Sequence, residues 1–390
     1  MMSASSSSQI LVAHSVHDEA RAAVREIHAA LGPCEAELVL FFCSSRFDLD
    51  ALADEMRTRF GATRVIGCTT AGEIGPAGYR EHSLAAVALP LAFFAAGTAL
   101  IDNLHDFSIT RGQASALDAL HDLEKRAMPE PGVDSNRFAL LLIDGLSVRE
   151  EAVTRTLQST LGDIPLVGGS AADDLRFENT SIFYDGQFRS DCAVLITAST
   201  QLPFRTFKTQ HFRSGDERLV VTAADAERRT VSEINGLPAA QEYARLIGAR
   251  VEDLSPGLFA ASPVVVLIDG TDYVRSIQKL NPDGSLTFYC AIEEGLVLRV
   301  ARGLDLVENL RMTFGELRHT VGEPQLILAW DCILRHLEMV QKGTRDRAGE
   351  LFSTNHAVGF STYGEQYQGV HVNQTLTGIV FGGAPEAARG

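Results

Sequence analysis

No stretch of this 390-residue chain is apolar for long enough to cross a membrane. The longest runs, such as Leu84 to Leu91 with its neighbours, fall short of the roughly 20 residues that a bilayer helix needs. The opening MMSASSSSQI lacks a charged segment followed by an apolar core, so residues 1–9 read as a disordered tail rather than a signal peptide, and the cytoplasm is the expected compartment. Basic residues are scarce: 34 Lys and Arg stand against 50 Asp and Glu, a net charge of -16. That balance disfavours nucleic acid as a partner, because such binding depends on basic patches. The six cysteines contain no C-x-x-C, which excludes a thioredoxin-like motif and the usual structural zinc spacing. H-E-x-x-H, C-x-x-C-H and the phosphate-binding G-x-x-x-x-G-K-[ST] are also missing.

What is present is alternation. Ile10–Ala13, Leu38–Cys43 and Thr63–Cys68 read as strands, separated by amphipathic helices after Asp18 and from Asp48 to Phe60. Further buried strands are expected at Phe138–Ile143 and Pro263–Ile268, with helices at Arg149–Leu161, Pro238–Ile247, Gly303–Leu317 and Asp331–Gln341, and one capped by Ser115 that runs to Met128. Strand and helix in turn predict an α/β fold. Ile143-Asp144-Gly145 and Ile268-Asp269-Gly270 end two strands alike and hint at an internal duplication.

Gly67 to Gly75 and the Gly168-Gly169 pair suit turns that expose backbone N–H groups. Cys68 as a nucleophile has no visible base, and Asp173 with Asp174 suits a turn better than a cation site. No catalytic constellation assembles, and the chain reads as a non-enzyme. His14, His17 and His336 read as surface residues. Between the strand-like segments 356–363 and 376–381, a polar loop carries Glu365, Tyr367, His371 and Asn373. Binding groups tend to sit on such loops.

Six motifs taken together resemble the FIST-domain sensory proteins. GCTTAGEIG at 67–75, DGLSVREE at 144–151 and PLVGGSAADD at 165–174 resemble the N-terminal half. VTAADAERRTVSEINGLPAAQEY at 221–243, WDCILRHLE at 330–338 and VGFSTYGEQYQGVHVNQTLTG at 358–378 resemble the C-terminal half. The resemblance implies two similar-sized mixed sheet-and-helix halves, 10–203 and 204–390, with a ligand site near their interface. The chain looks closest to the NosP-type branch, which implies haem b, nitric oxide as signal, and output to a separate histidine kinase or cyclic-di-GMP enzyme, with a homodimer left open. On that reading His371 is the axial iron ligand, His356 faces the same space, and Asn373, Tyr367 or Glu365 orients the imidazole. The alternative is a haem-free sensor of a small, amino-acid-like metabolite.

Overall fold

The computed structural model describes residues 9–33, 35–126, 136–268 and 271–383. It is a mixed α/β protein built from one motif used three times, plus an inserted sheet. In the first unit, helix Ala20–Leu31, strand Ala36–Ser44, helix Leu49–Phe60 and strand Val65–Thr70 follow one another, the two strands running parallel. A short hairpin, Glu73–Gly75 with Gly78–Arg80, comes next, and strand Leu84–Pro90 returns antiparallel beside Ala36–Ser44. The second unit repeats this order with helix Ile109–Arg126, strand Asn136–Ile143, helix Glu150–Leu161, strand Leu166–Ser170, hairpin Ile182–Tyr184 with Gln187–Arg189, and strand Ala193–Thr200. The third uses helix Leu306–Val321, strand Leu326–Cys332, helices Ile333–Gln341 and Arg345–Thr354, strand Ala357–Thr362, hairpin Glu365–Tyr367 with Val370–Val372, and strand Leu376–Phe381.

The units close into a ring by exchanging hairpins. The first hairpin pairs with the third unit's Ala357–Thr362, the second with Val65–Thr70, and the third with Leu166–Ser170. Three equivalent backbone bonds encircle the axis: Ala71 donates to Ser361, Ala172 to Thr69, and Tyr363 to Ser170, at 3.1, 2.9 and 3.4 Å. The FIST-like halves are therefore interlocked, since the first hairpin lies in the C-terminal half's sheet.

Strand alternation explains the layers. Phe42, Leu142 and Trp330 face inward with Cys68, Val167 and Phe360 to form one central core, while Phe41, Leu141 and Ala329 face outward beneath the helices. One glycine per unit lets the parallel pair approach. A Cβ on Gly67, Gly168 or Gly359 would sit 2.4, 2.0 or 1.7 Å from a carbonyl oxygen of Phe41, Leu141 or Ala329.

Residues 212–303 carry the inserted eight-stranded sheet, entered along Phe212 and left along Gly303, which pair with each other. The sheet curls so that its two ends, Thr271–Arg275 and Ile277–Leu280, are nearly consecutive in sequence.

Several local expectations change. Gly168-Gly169 lies inside a strand rather than a turn, because the pair lets Leu141 and Trp330 come close. Asp331 and Cys332 end a strand instead of opening a helix, and the helix placed after Ser115 begins at Ile109. Met128, Asp269 and Gly270 lie outside the described residues, as does the tail up to residue 8. Strand Val264–Ile268 belongs to the inserted sheet and is no counterpart of Asn136–Ile143, so the internal repetition is threefold and follows other residues.

Candidate functional site

The three hairpins provide an internal comparison. Each presents one cross-strand pair: Ile74 opposite Tyr79 in the first, Phe183 opposite Phe188 in the second, and Gln366 opposite His371 in the third. The first two are aliphatic or aromatic, as a packed sheet extension requires, with the Tyr79 hydroxyl the one polar side-chain atom between them. The third is polar although Gln366 is fully buried and His371 is 2% exposed. The loop expected between two strands is thus itself a hairpin, and its polar side chains point inward.

Gln366 Nε2 donates to Ser170 Oγ at 2.9 Å and reaches Gly364 O and His371 Nδ1 at 3.3 Å each. The two oxygens fix which end of the amide faces them. Nδ1 then accepts, and the neutral imidazole carries its proton on Nε2. Burial pushes the His371 pKa down to about 4, against a smaller opposing pull from Glu151. Nε2 has no protein partner.

Glu365 is the counterpart of Glu73, and each accepts from a hydroxyl residue ten positions on. Ser83 donates its N–H at 3.0 Å and its Oγ at 2.6 Å to Glu73, and Thr70 Oγ1 serves the other oxygen. Thr375 donates its N–H at 3.2 Å and its Oγ1 at 2.5 Å to Glu365 Oε2. The residue equivalent to Thr70, Thr362, turns instead to the carbonyls of Ser170 and Gly364, at 2.8 and 2.7 Å. Glu365 Oε1 is left without a protein partner. Burial raises both carboxyls, Glu73 to about 8 and Glu365 well above the usual carboxylate range. In the same segment, both amide atoms of Asn373 and the oxygens of Gln366 and Gln374 also lack protein partners. An unpaired buried polar group costs about 1–3 kcal/mol, so such a concentration is a functional signal.

Backbone conformation marks the same corner. His82, Asp191 and Gln374 occupy equivalent positions, and all three are non-glycine residues in the left-handed region, with φ of 56°, 52° and 53°. Such strain persists only where surrounding structure enforces it. Gln374 Nε2 meets Ala260 O of the inserted segment at 3.0 Å.

A charged clamp borders the site. Arg229 Nη2 of the inserted sheet bridges Glu150 and Glu151 at 2.8 and 2.6 Å, and Glu151 also accepts from Ala291 N at 2.6 Å. Burial lifts Glu150 to about 7, while the two carboxylates hold Arg229 charged. Phe177 stacks on Tyr363 at 4.6 Å and approaches Tyr289 at 6.2 Å, adding an aromatic wall.

The expected site residues divide. His371 and Asn373 come together beside Gly364, while Glu365, paired with Val372, lies on the other face of the hairpin. Tyr367 is half-buried on the same hairpin and packs against the central core. His356 is exposed at the opposite end of strand Ala357–Thr362, so it does not share the space of His371. Cys68 is buried and its thiol is pushed well up, while Asp173 accepts from the N–H groups of residues 177–179 in a turn. His336 is buried against Tyr79 and bonded to Glu81 at 3.2 Å, and His14 is largely enclosed beside Ser83. Both were expected at the surface. Gln366, Gln374 and the equivalence of Glu73 with Glu365 did not stand out in the sequence. The shared ten-residue interval from Glu73 to Ser83 and from Glu365 to Thr375 was the available signal. Equally hidden was a buried chain in which Arg335 links Asp331, at 2.6 Å, to His211, at 3.1 Å, and His211 to Glu338, at 2.8 Å.

The chain is 23% identical over 384 residues to an uncharacterized protein, MJ1623, of Methanocaldococcus jannaschii, covering 89% of this chain and 73% of that one. A crystal structure of cyanuric acid hydrolase from A. caulinodans aligns over 96% of this chain and 99% of its own, at 9% identity and a TM-score of 0.36, too low to carry an argument. Residues 37–237 match the FIST N domain and residues 239–368 the FIST C domain. Matched in order along most of its length, the chain belongs to the FIST family of signal-transduction sensor domains.

Proposed function

We propose that this protein is a sensor whose small polar ligand is held between the third hairpin and the inserted sheet. One observation carries the reading: Gln366 and His371 are buried and polar where the other two hairpins carry aliphatic or aromatic side chains. A fold that tolerates Ile74–Tyr79 and Phe183–Phe188 at this position has no structural need for an amide and an imidazole. Ligand occupancy between hairpin and insert would alter how the two pack, a switch of a recognised kind. The family resemblance makes a separate histidine kinase or cyclic-di-GMP enzyme the partner to test. Binding is tested by following the His371 imidazole signals in ¹⁵N-labelled protein on addition of small-molecule mixtures. The thermal midpoint is read alongside: a ligand-induced rise that vanishes in a Gln366→Phe/His371→Phe variant is expected, and an unchanged rise would refute the site.

Haem with nitric oxide is a second reading, and the observation in its favour is the imidazole Nε2 without a protein partner. The arrangement does not fit iron at that atom. Nε2 carries the proton, and a Cβ built on Gly364 would lie 2.7 Å from it, so the glycine backbone closes that edge. Protein expressed with adequate haem would show a Soret band that moves with nitric oxide and changes in His371→Ala if this reading holds. A colourless protein that takes up no added haem ends it.

A further inference from the structure

Building on the proposed sensor site, we infer that its ligand is uncharged and presents an amide-type edge, an N–H beside a C=O, as lactams, ureides and nucleobases do. The argument starts from the free hydrogen-bonding atoms. Asn373 is fully buried with both amide atoms unpartnered, Nδ2 a donor and Oδ1 an acceptor. A primary amide with both atoms free pairs two bonds at once with another amide edge, as Asn does with a base. His371 stands close by, since a Cβ on Gly364 would meet His371 Nε2 at 2.7 Å and Asn373 Nδ2 at 3.1 Å, and its imidazole reports on the site although the Gly364 backbone closes the Nε2 edge. Gln366 and Gln374 contribute carbonyl acceptors. Donors and acceptors are thus mixed, as an amide edge requires and a carboxylate or an ammonium does not.

Charge points the same way. Arg229 is engaged by Glu150 and Glu151, and Asp331 by Arg335, so these charges are answered within the protein. An ionised ligand would leave water for a buried site where Arg229, Glu150 and Glu151 already engage one another, a large penalty without a free counter-charge. Arg275, which approaches His371 from the inserted sheet and has a buried Nε without a protein partner, favours an anion, and the test includes it.

Uracil and 2-pyrrolidone serve as probes against acetate and methylammonium, with His371 imidazole signals and thermal midpoint as readouts. The lactams are expected to shift both. Asn373→Asp keeps the shape but replaces the donor, and should weaken lactam binding about ten- to a hundredfold. A response to acetate alone, abolished by Arg275→Gln, overturns the amide-edge assignment while the site stands. Lactam binding that persists in Gln366→Phe/His371→Phe overturns the site itself. Silence from all four probes counts against the ligand class.

Discussion

Gln366 and His371 face each other across the third hairpin and are joined through Gln366 Nε2 and His371 Nδ1 at 3.3 Å, at a position that two other copies of the hairpin fill with aliphatic or aromatic side chains. The protein thus contains its own controls. Restoring the apolar pair as Gln366→Phe/His371→Phe should leave a folded protein. It removes two buried unpartnered atoms, Gln366 Oε1 and His371 Nε2, and stability should hold or rise by about 1–2 kcal/mol. Calorimetry checks it, and a loss of several kcal/mol would make the polar pair structural.

Acid should destabilise the fold through His371. Its folded pKa of about 4 lies below the 6.5 of the free side chain, so between those values the unfolded chain binds more protons. The contribution is complete above pH 6.5 and is lost as pH falls to 4, about 3 kcal/mol in total. Denaturant titrations of His371→Phe should show a flatter limb across that window. An equally steep limb would assign the acid response elsewhere, with His14, also held at about 4, next in line.

Glu73 works in the opposite direction. Burial raises its pKa from 4.5 to about 8, so the folded protein binds more protons between those values. Its contribution is complete below pH 4.5 and is lost as pH climbs through 8. Glu73→Gln should remove this slope and stabilise the protein at pH 8 and above, since an amide can still accept from Ser83. A variant with the parent's pH profile would show that Glu73 titrates normally.

Arg229→Met should cost about 3–5 kcal/mol, because it strands Glu150 and Glu151 in the seam without a counter-charge. Adding Glu150→Gln and Glu151→Gln should recover most of that loss. Thermal midpoints of the single and triple variants decide whether the penalty is electrostatic, and equal midpoints would indicate lost packing instead.

Gly359→Ala should be among the most damaging single-methyl changes. The added carbon would lie 1.7 Å from Ala329 O, a backbone atom held by two neighbouring strands. A loss of about 3 kcal/mol or more is expected, read as a lowered midpoint or loss of soluble protein. Gly322→Ala, at a helix end with open space around it, tests φ alone and should cost less.

The sequence alone determined the α/β alternation, because buried strands and amphipathic helices write different periods into the chain. Phe138–Ile143, Asp48–Phe60 and Arg149–Leu161 all lie within a residue or two of observed elements. It also carried the motifs of the family and pointed to the stretch holding Glu365, His371 and Asn373. Only the tertiary structure decided which residues meet. His356 and His371 are fifteen positions apart, yet a six-residue strand, about 20 Å long, holds them at opposite ends of a sheet. Glu73 and Glu365 are nearly three hundred positions apart and occupy equivalent places around one axis. Period-two alternation tells a strand which face to bury but not which neighbour to pair with. That choice rests on hydrogen bonds and packing between distant segments, and here it closed three hairpins into a ring and left only the third one polar inside.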